Sequence, residues 1–461
     1  MKILLIAPKF RFHTLHPPLG LGYIAAVLER EGHQVKLLDC NTDKLPGYGV
    51  GKIIDVEKPD LIGISVLTGS YNSAKRLLKE IKPATDTPVV LGGAHITALP
   101  EFSLKDTGAD FCVISEGEIT VKELAERMES GATDFNNIKG LAYMDNGAIR
   151  VNEPRELIED IDSLPFPAWH LMPPEKYHIA PVLASSDRYP LAPVMSTRGC
   201  PYMCRYCASH ITWRRKLRLR SPEKVVDEIE MLMNDFGVKS IHFADDNFTF
   251  YRTHAAAVCN EIIERKLDIT WGCPNGVRAD RVDKELLLLM KKAGCNMLSF
   301  GIESGSQQIL KNIKKALALP KVPSVIKNAK ENGITTFGFF VLGLPGETRD
   351  TIRETIDFSK NAALDRAWFF IFAPLPGSEL FDEWVKDKNL SEIDWDLLDT
   401  YTGIVGGKDL SKEDLESFQK EAVREFYLRP KMILSILRRM RFENYKTLAT
   451  WIRNRVSGSY L

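Results

Sequence analysis

Three cysteines stand close together in the segment STRGCPYMCRYCASH, at positions 200, 204 and 207. Thiolates spaced CxxxCxxC can bind an iron-sulfur cluster from a single loop, and three of them leave the fourth iron of a 4Fe-4S cluster open to an outside ligand. His210 follows Cys207 by three residues, so a closed zinc site with three cysteines and one histidine is the alternative. An open cluster would perform redox chemistry, whereas an enclosed zinc ion would be structural.

The other five cysteines stand singly, so no second cluster is assigned to them. Eight cysteines in 461 residues are too few for a disulfide framework, which favours metal or redox chemistry in the reducing cytoplasm. Because 61 basic residues balance 61 acidic ones, no overall field attracts nucleic acid or an anionic membrane. No apolar run approaches the ~18 to 20 residues that cross a bilayer. The expected partner is a small molecule or a lipid.

The cysteine segment follows the first of six short apolar runs that alternate with helical patterns between residues 191 and 400. Six such units predict a partial (βα)6 barrel, with its active site at the carboxyl ends of the strands. The clearest helix is predicted to begin after Ser221, with Pro222 at its first position. The six strands are predicted at 193–197, 240–245, 269–274, 297–302, 335–343 and 368–374.

Residues 1–150 predict a separate α/β domain with a doubly wound, Rossmann-like parallel sheet, whose ligand loops lie at the carboxyl ends of the strands. Between the first two strands, a helix is predicted to end at Gly32. A proline-rich connector at 151–190 and a helical region at 401–461 complete the expected organisation. The strands are predicted at 2–7, 34–39, 60–65, 88–93 and 110–115.

Five segments at these strand ends resemble one known family. They are CxxxCxxC with Tyr206 before its third cysteine, FADDNF (243–248), NGVRAD (275–280), FGIESG (300–305) and VLGLPGE (341–347). The combination is similar to the radical S-adenosylmethionine (SAM) superfamily, in the branch with an N-terminal cobalamin-binding domain, from residue 1 to about 440. The resemblance implies that Cys200, Cys204 and Cys207 bind a 4Fe-4S cluster, which reduces SAM to release a 5′-deoxyadenosyl radical.

By position in these motifs, six residues are expected to bind SAM, namely Tyr206, Asp246, Arg278, Gly301, Glu303 and Ser304. Glu303 has a solvated helix-cap carboxylate as its alternative role. For Arg278 and Asp246 the alternative is a structural ion pair.

The first domain resembles corrinoid-facing loops at HPPLGLGYIAAVLEREGH (16–33), VVLGGAHIT (89–97) and VISEGE (113–118). Glycines at a strand end would let the backbone approach a large planar ligand, and hydroxyls at another could reach its amides or phosphate. The motif DxHxxG is absent, so we expect cobalamin without a histidine on cobalt. A domain that binds nothing is the alternative, as is a structural role for His95. The expected cobalamin contacts are Ser65, Thr68, Gly92, Gly93, His95, Glu116 and Gly117.

The expected reaction is cobalamin-dependent methylation of an unactivated carbon or phosphorus centre, with ferredoxin or flavodoxin as the electron donor. Oxidative cyclisation, carbon-carbon coupling or rearrangement would use the same cofactors. A zinc-containing binding protein without catalysis is the alternative from another class.

Two basic segments stand outside these motifs. RRKLRLR (214–220) is expected to be a solvated strand edge, or a guard over anionic parts of SAM or substrate. KMILSILRRMRF (431–442) predicts an amphipathic helix that packs on the barrel, with peripheral membrane contact as the alternative.

Overall fold

The computed structural model describes residues 1–10, 16–43, 49–177, 188–403, 410–430 and 432–434. Most of the basic segment at 431–442 lies outside these residues. The described residues form two large sheets and a two-stranded ribbon, which confirms the predicted α/β class.

The first sheet has seven strands in the order β2-β1-β3-β4-β5-β6-β7. Its first five strands are parallel, and helices cover both faces, which is why runs such as KILLIA are apolar throughout. From β1 the chain runs to β2 on one side, and β3 then lies on the other side of β1. The strand order therefore reverses between β1 and β3, and in such sheets ligands bind at the carboxyl ends of the strands at this switch point. The strands are β1 (Lys2–Ala7), β2 (Gln34–Asp39), β3 (Leu61–Ser65), β4 (Val89–Gly92), β5 (Phe111–Val113), β6 (Leu141–Asp145) and β7 (Ala148–Val151). The helices are α1 (Leu19–Arg30), α2 (Gly51–Glu57), α3 (Tyr71–Ile81), α4 (Ala94–Ala98), α5 (Pro100–Thr107) and α6 (Glu118–Glu129).

The antiparallel hairpin β6–β7 extends this sheet and was not predicted. Its turn has Asn146 and Gly147 at φ values of 49° and 84°, as in the type I′ turns that favour Asn-Gly. That dipeptide was the available signal in the sequence.

The second sheet has six parallel strands in the order β15-β14-β13-β12-β11-β8. The six strands lie in the sheet in the same order as the six predicted strands lie in the chain. The described sheet is therefore the expected partial barrel. The strands are β8 (Leu191–Val194), β11 (Ser240–Phe243), β12 (Thr270–Val277), β13 (Cys295–Glu303), β14 (Thr335–Leu342) and β15 (Arg366–Ile371), and the ribbon is β9 (Thr197–Arg198) with β10 (Arg218–Leu219). The helices are α7 (Ser209–Trp213), α8 (Pro222–Phe236), α9 (Arg252–Glu264), α10 (Lys284–Lys292), α11 (Gln307–Asn312), α12 (Val322–Glu331), α13 (Arg349–Asn361), α14 (Glu379–Val385) and α15 (Lys412–Tyr427).

Helix α8 begins where the sequence predicts. The Ser221 hydroxyl accepts a hydrogen bond from the Lys224 amide at 3.4 Å, and the helix ends at Gly237 in the left-handed conformation. The edge strand β15 is covered by α15, whose Gln419 and Tyr427 side chains donate to backbone carbonyls of that strand. This cover blunts an edge that would otherwise pair with other chains.

The proline-rich connector is better ordered than its sequence suggests. It contains short 3-10 turns, and Trp169, Met172 and Tyr177 are buried in the core of the barrel. The Trp169 indole donates to the Glu228 carboxylate at 3.1 Å. Prolines remove any helical or strand period, so the pattern could not reveal that the segment packs on the second sheet.

Candidate functional site

The cysteine loop lies between β9 and α7, at the carboxyl end of the barrel sheet. Cys204 is buried, and Cys200 and Cys207 are half-buried. Arg205 anchors the loop, because its amide donates to the Ile313 carbonyl at 3.0 Å and its guanidinium pairs with Glu379 at 2.7 Å. The loop therefore presents three neighbouring thiols from a fixed base.

The thiols are neighbours without being gathered around one point. Within the described residues, no three cysteine, histidine or acidic side chains are close enough to hold a metal ion. Burial raises the pKa of Cys200 to about 11, with smaller contributions from Asp246 and the other two thiols. A cluster would therefore displace protons and draw the side chains together. The donor set fits a cluster, since it supplies three thiols from one loop. His210, the alternative zinc ligand, has Nδ1 3.1 Å from the Cys207 carbonyl oxygen.

A buried ion pair lies beside this loop. Glu303, the last residue of β13, has a φ of +69°, and its Oε1 is 2.5 Å from Lys315 Nζ. The same ammonium is 3.4 Å from the Tyr206 hydroxyl. Both charged side chains are at most 10% exposed, so Glu303 is not a solvated helix cap. Burial raises the pKa of Cys204, while the positive charge of Lys315 opposes that increase. The pair is thus part of the electrostatic surroundings of the loop.

Gly301 makes room for this pair. A Cβ at this position would be 2.8 Å from Glu303 Oε1 and 2.9 Å from Lys315 Nζ, closer than side-chain atoms normally approach. We expect Gly301→Ala to displace Glu303 and Lys315 and to weaken SAM binding at least ~10-fold, because a shift of about 1 Å in a positioned group is costly. Equilibrium dialysis with SAM measures the change. Gly51→Ala is the control, because a Cβ at Gly51 has no atom within 4 Å and Gly51 does not line the cavity. Equal SAM affinity in Gly301→Ala and Gly51→Ala would contradict this role.

Ser304 and Arg278 have structural partners in the described residues. The Ser304 hydroxyl contacts that of Thr355 at 3.1 Å and is fully buried in the turn after β13. The Arg278 guanidinium pairs with Asp280 at 3.0 Å and lies 3.9 Å from the centre of the Tyr202 ring. These contacts match the structural alternative for Arg278, and they engage the Ser304 hydroxyl within the protein.

Asp246 and Asp245 have different surroundings. Asp246 is exposed at the barrel mouth, whereas Asp245 is buried and accepts hydrogen bonds from Ser196 and Thr197. Burial raises the pKa of Asp245 to about 6. Asp245 therefore positions the segment that leads into the cysteine loop, a role that sequence reasoning missed although both aspartates stand in FADDNF.

A cavity of about 570 Å³ lies at the carboxyl ends of the first sheet. Met195, Arg198 and Trp213, which flank the cysteine loop, line its other side. The cavity therefore joins the two sheets at the place where both predicted sites meet. Of the expected cobalamin contacts, it is lined by Ser65, Gly92, Gly93, Glu116 and Gly117.

The two glycines at the end of β4 have different roles, since Gly93 lets the chain pack against Val66 and Gly92 leaves the strand end open. Gly93 has a φ of +100°, and a Cβ there would be 2.6 Å from the Val66 carbonyl oxygen. A Cβ at Gly92 would have only Val113 within 4 Å, so a bare strand end faces the cavity. This surface suits a large planar ligand.

Thr68 and His95 are not among the residues that line the cavity. They contact each other, with His95 Nδ1 3.2 Å from the Thr68 hydroxyl. The imidazole packs against Tyr71 and Trp395, at 4.2 and 4.8 Å between ring centres. Burial lowers the pKa of His95 to about 3, so the ring is neutral. This geometry matches the structural alternative for His95.

A buried network of four charged residues links the two sheets, and we call it the interdomain clasp. Arg198 pairs with Glu116 at 2.6 Å and with Glu118 at 2.7 Å, and Arg218 pairs with Glu116 at 2.7 Å. All four side chains are at most 6% exposed. The expectation that 214–220 forms a solvated strand edge is therefore wrong at Arg218. Its acidic partner lies 102 positions away in the chain, beyond the reach of local patterns.

Two family models match this chain. The model of the radical SAM superfamily matches residues 194–359, and that of the B12 binding domain matches residues 9–125. The first match contains the cysteine loop and Glu303, and the second contains most of the cavity lining. No helix in the described part of the chain is long and apolar enough to span a membrane.

Curated relatives extend the match over nearly the whole chain. It is 34% identical over 442 residues to an uncharacterized methyltransferase of Pyrococcus horikoshii, with 94% of each protein covered. It is 32% identical to cytidylyl-2-hydroxyethylphosphonate methyltransferase of Streptomyces wedmorensis, over 84% of this chain and 82% of that protein. It is 31% identical to the anaerobic magnesium-protoporphyrin IX monomethyl ester cyclase of Rubrivivax gelatinosus, over 93% of this chain and 78% of that protein.

Solved structures share the fold. The radical SAM methyltransferase TsrM of Kitasatospora setae, with cobalamin and a 4Fe-4S cluster bound, matches with a TM-score of 0.72 at 19% identity, over 93% of this chain and 89% of that one. The cobalamin-dependent SAM radical enzyme OxsB matches with a TM-score of 0.65 at 21% identity, over 84% of this chain and 55% of that one. The chain therefore belongs to the radical SAM superfamily, in the group with an N-terminal B12-binding domain, whose cofactors are a 4Fe-4S cluster, SAM and cobalamin.

Proposed function

We propose that this chain methylates an unactivated carbon or phosphorus centre. The observation that carries the proposal is the cavity shared by the strand ends of the first sheet and by Met195 and Arg198 beside the cysteine loop. A cofactor in that cavity would face the barrel mouth, which supplies the proximity that group transfer requires. The names of two relatives, both methyltransferases, support the same reaction.

We assign cluster binding to Cys200, Cys204 and Cys207, and SAM binding to Tyr206, Gly301 and Glu303. When bound, the cluster supplies the electron that cleaves SAM, and cobalamin supplies a transferable methyl group. Lys315 fixes the Glu303 carboxylate beside Tyr206, and the missing side chain of Gly301 keeps that space open. Burial excludes water from this corner, so each charge acts strongly on a bound ligand.

We assign cobalamin binding to the residues that line the cavity. Gly92, Gly93 and Gly117 would allow backbone approach, and the Ser65 hydroxyl stands at a strand end. Glu116 would act through the interdomain clasp, because both of its carboxylate oxygens already accept from arginines. His95 is buried among aromatic rings and does not line the cavity, whereas His16 does line it. Our expectation that no histidine binds cobalt therefore rests on the absence of the DxHxxG motif. Ferredoxin or flavodoxin in the cytoplasm is the proposed electron donor.

Oxidative cyclisation is the second candidate, because the Rubrivivax cyclase is 31% identical over 93% of this chain. Anaerobically reconstituted protein should be supplied with methyl-labelled SAM and, in parallel, with the substrates named for the Streptomyces and Rubrivivax relatives. We expect the label to appear on cobalamin and then in a methylated product. Label that stays on cobalamin while an unlabelled product forms would contradict methyl transfer and favour cyclisation. Protein with stoichiometric zinc and no iron would contradict both.

A further inference from the structure

The last two strands of the barrel sheet carry aromatic side chains on both faces. Phe340 and Phe369 point outward and are buried in the core that packs on the helices. Their neighbours in sequence, Phe339, Trp368 and Phe370, point to the inner face and are only half-buried. The inner face of a barrel normally carries branched aliphatic residues, so an inner surface made of aromatic rings is unusual.

Strand register places this surface next to the proposed SAM site. Phe339 pairs with Gly301 on β13 and with Trp368 on β15, so the three residues form one row across the inner face. In the next row, Val341 pairs with Phe370. The Phe339 ring also lies 3.6 Å from a side-chain position at Gly276. An inner row therefore runs from the glycine beside Glu303 directly to the aromatic rings.

The rings are arranged to receive a flat ligand. The planes of Trp368 and Phe370 are 8° from parallel, with 6.4 Å between ring centres. Phe339 and Tyr401 each approach Phe370 nearly edge-on, at 5.8 and 5.7 Å. Parallel planes present their π faces in a common direction, so a fused or conjugated ring system can stack with both. A saturated chain gains no such interaction.

We propose that Phe339, Trp368, Phe370 and Tyr401, here named the aromatic wall, bind the substrate, and that the substrate is a planar, π-rich molecule. This inference rests on the proposed function, because it takes the radical to form near Glu303 and the substrate to lie within its reach. Stacking on the wall would hold a flat molecule beside Gly301, because Phe339 is its direct partner on the neighbouring strand. The aromatic wall would thereby select a substrate that is flat as well as apolar.

The test uses the full chain, reconstituted anaerobically with cluster and cobalamin and saturated with S-adenosylhomocysteine. Equilibrium dialysis measures the Kd of magnesium-protoporphyrin IX monomethyl ester and of tryptophan as planar probes, and of laurate as a saturated probe. We expect at least one planar probe to bind and laurate not to compete with it. Trp368→Leu and Phe370→Leu keep apolar volume but remove the π face, and each should raise the Kd of that probe at least ~10-fold.

Trp384→Leu is the matched control, since Trp384 is a half-buried tryptophan that packs against Phe381 in a different core. It should leave probe binding unchanged. Iron content and S-adenosylhomocysteine binding report on the proposed function separately, and their loss in the unaltered chain would defeat that proposal instead. The aromatic wall is refuted as a substrate site if no planar probe binds, if the leucine variants bind it equally well, or if laurate displaces it. It is also refuted if Trp368→Leu weakens S-adenosylhomocysteine binding tenfold, because adenine would then occupy the wall.

Discussion

Replacing Cys204 by serine is expected to abolish cluster binding and SAM cleavage. Cys204 is the buried member of the three, and a hydroxyl is a poor ligand for iron at neutral pH because it does not ionise as a thiol does. Iron and sulfide analysis after anaerobic reconstitution should give about four irons per chain for the unaltered protein and close to none for the variant. SAM cleavage after dithionite reduction should be undetectable in the variant.

Cys40→Ser supplies the control, since Cys40 is half-buried in the first sheet domain and far along the chain from the loop. It should bind iron and cleave SAM like the unaltered chain. Full iron content in Cys204→Ser would show that the loop is not the cluster site. Loss of iron in both variants would point to a general folding defect.

Glu116→Gln should destabilise the protein by about 3 kcal/mol, because it leaves Arg218 buried without a carboxylate partner. The substitution conserves size, so the loss comes from charge and not from a cavity. Arg198 retains Glu118, which limits the effect to part of the network. The free energy of unfolding, measured by urea titration of the cofactor-free chain, reports the change.

Glu156→Gln removes a carboxylate of the same kind from an exposed pair with Lys139, where the carboxylate is 74% exposed. That variant should unfold at the same urea concentration as the unaltered chain, because solvent screens exposed pairs. A midpoint for Glu116→Gln that also stays unchanged would mean that the interdomain clasp contributes no stability. A change in the slope of the transition would instead indicate that the two sheets no longer unfold together.

The sequence predicted most of the fold because its signals are local. Apolar runs and helical periods mark every strand of the barrel sheet, and Ser221 with Pro222 marks the start of α8. The Asn146-Gly147 hairpin was missed because β6 and β7 are only five and four residues long and β7 is mostly exposed, so neither shows a sustained apolar pattern. The connector escaped because its prolines erase the periodicity on which such prediction depends.

The site was predictable where chemistry depends on spacing within one loop. CxxxCxxC and the glycines at a strand end are of this kind. Partners contributed by distant parts of the chain were not predictable, including Lys315 for Glu303 and Glu116 for Arg218. The roles of Ser304 and His95 depend on which way each side chain points, and the structure turns both toward local partners. Motif position alone does not carry that information.

The interdomain clasp also constrains how such enzymes can arise. Arg198 stands two residues before Cys200, and its counter-ions are Glu116, in the loop after β5, and Glu118, the first residue of α6. A barrel that kept the first sheet but lost these carboxylates would retain two buried cations with nothing to neutralise them. A variant that no longer bound cobalamin would still need Glu116 and Glu118 to neutralise these arginines, so the first sheet would remain necessary for folding even without its ligand.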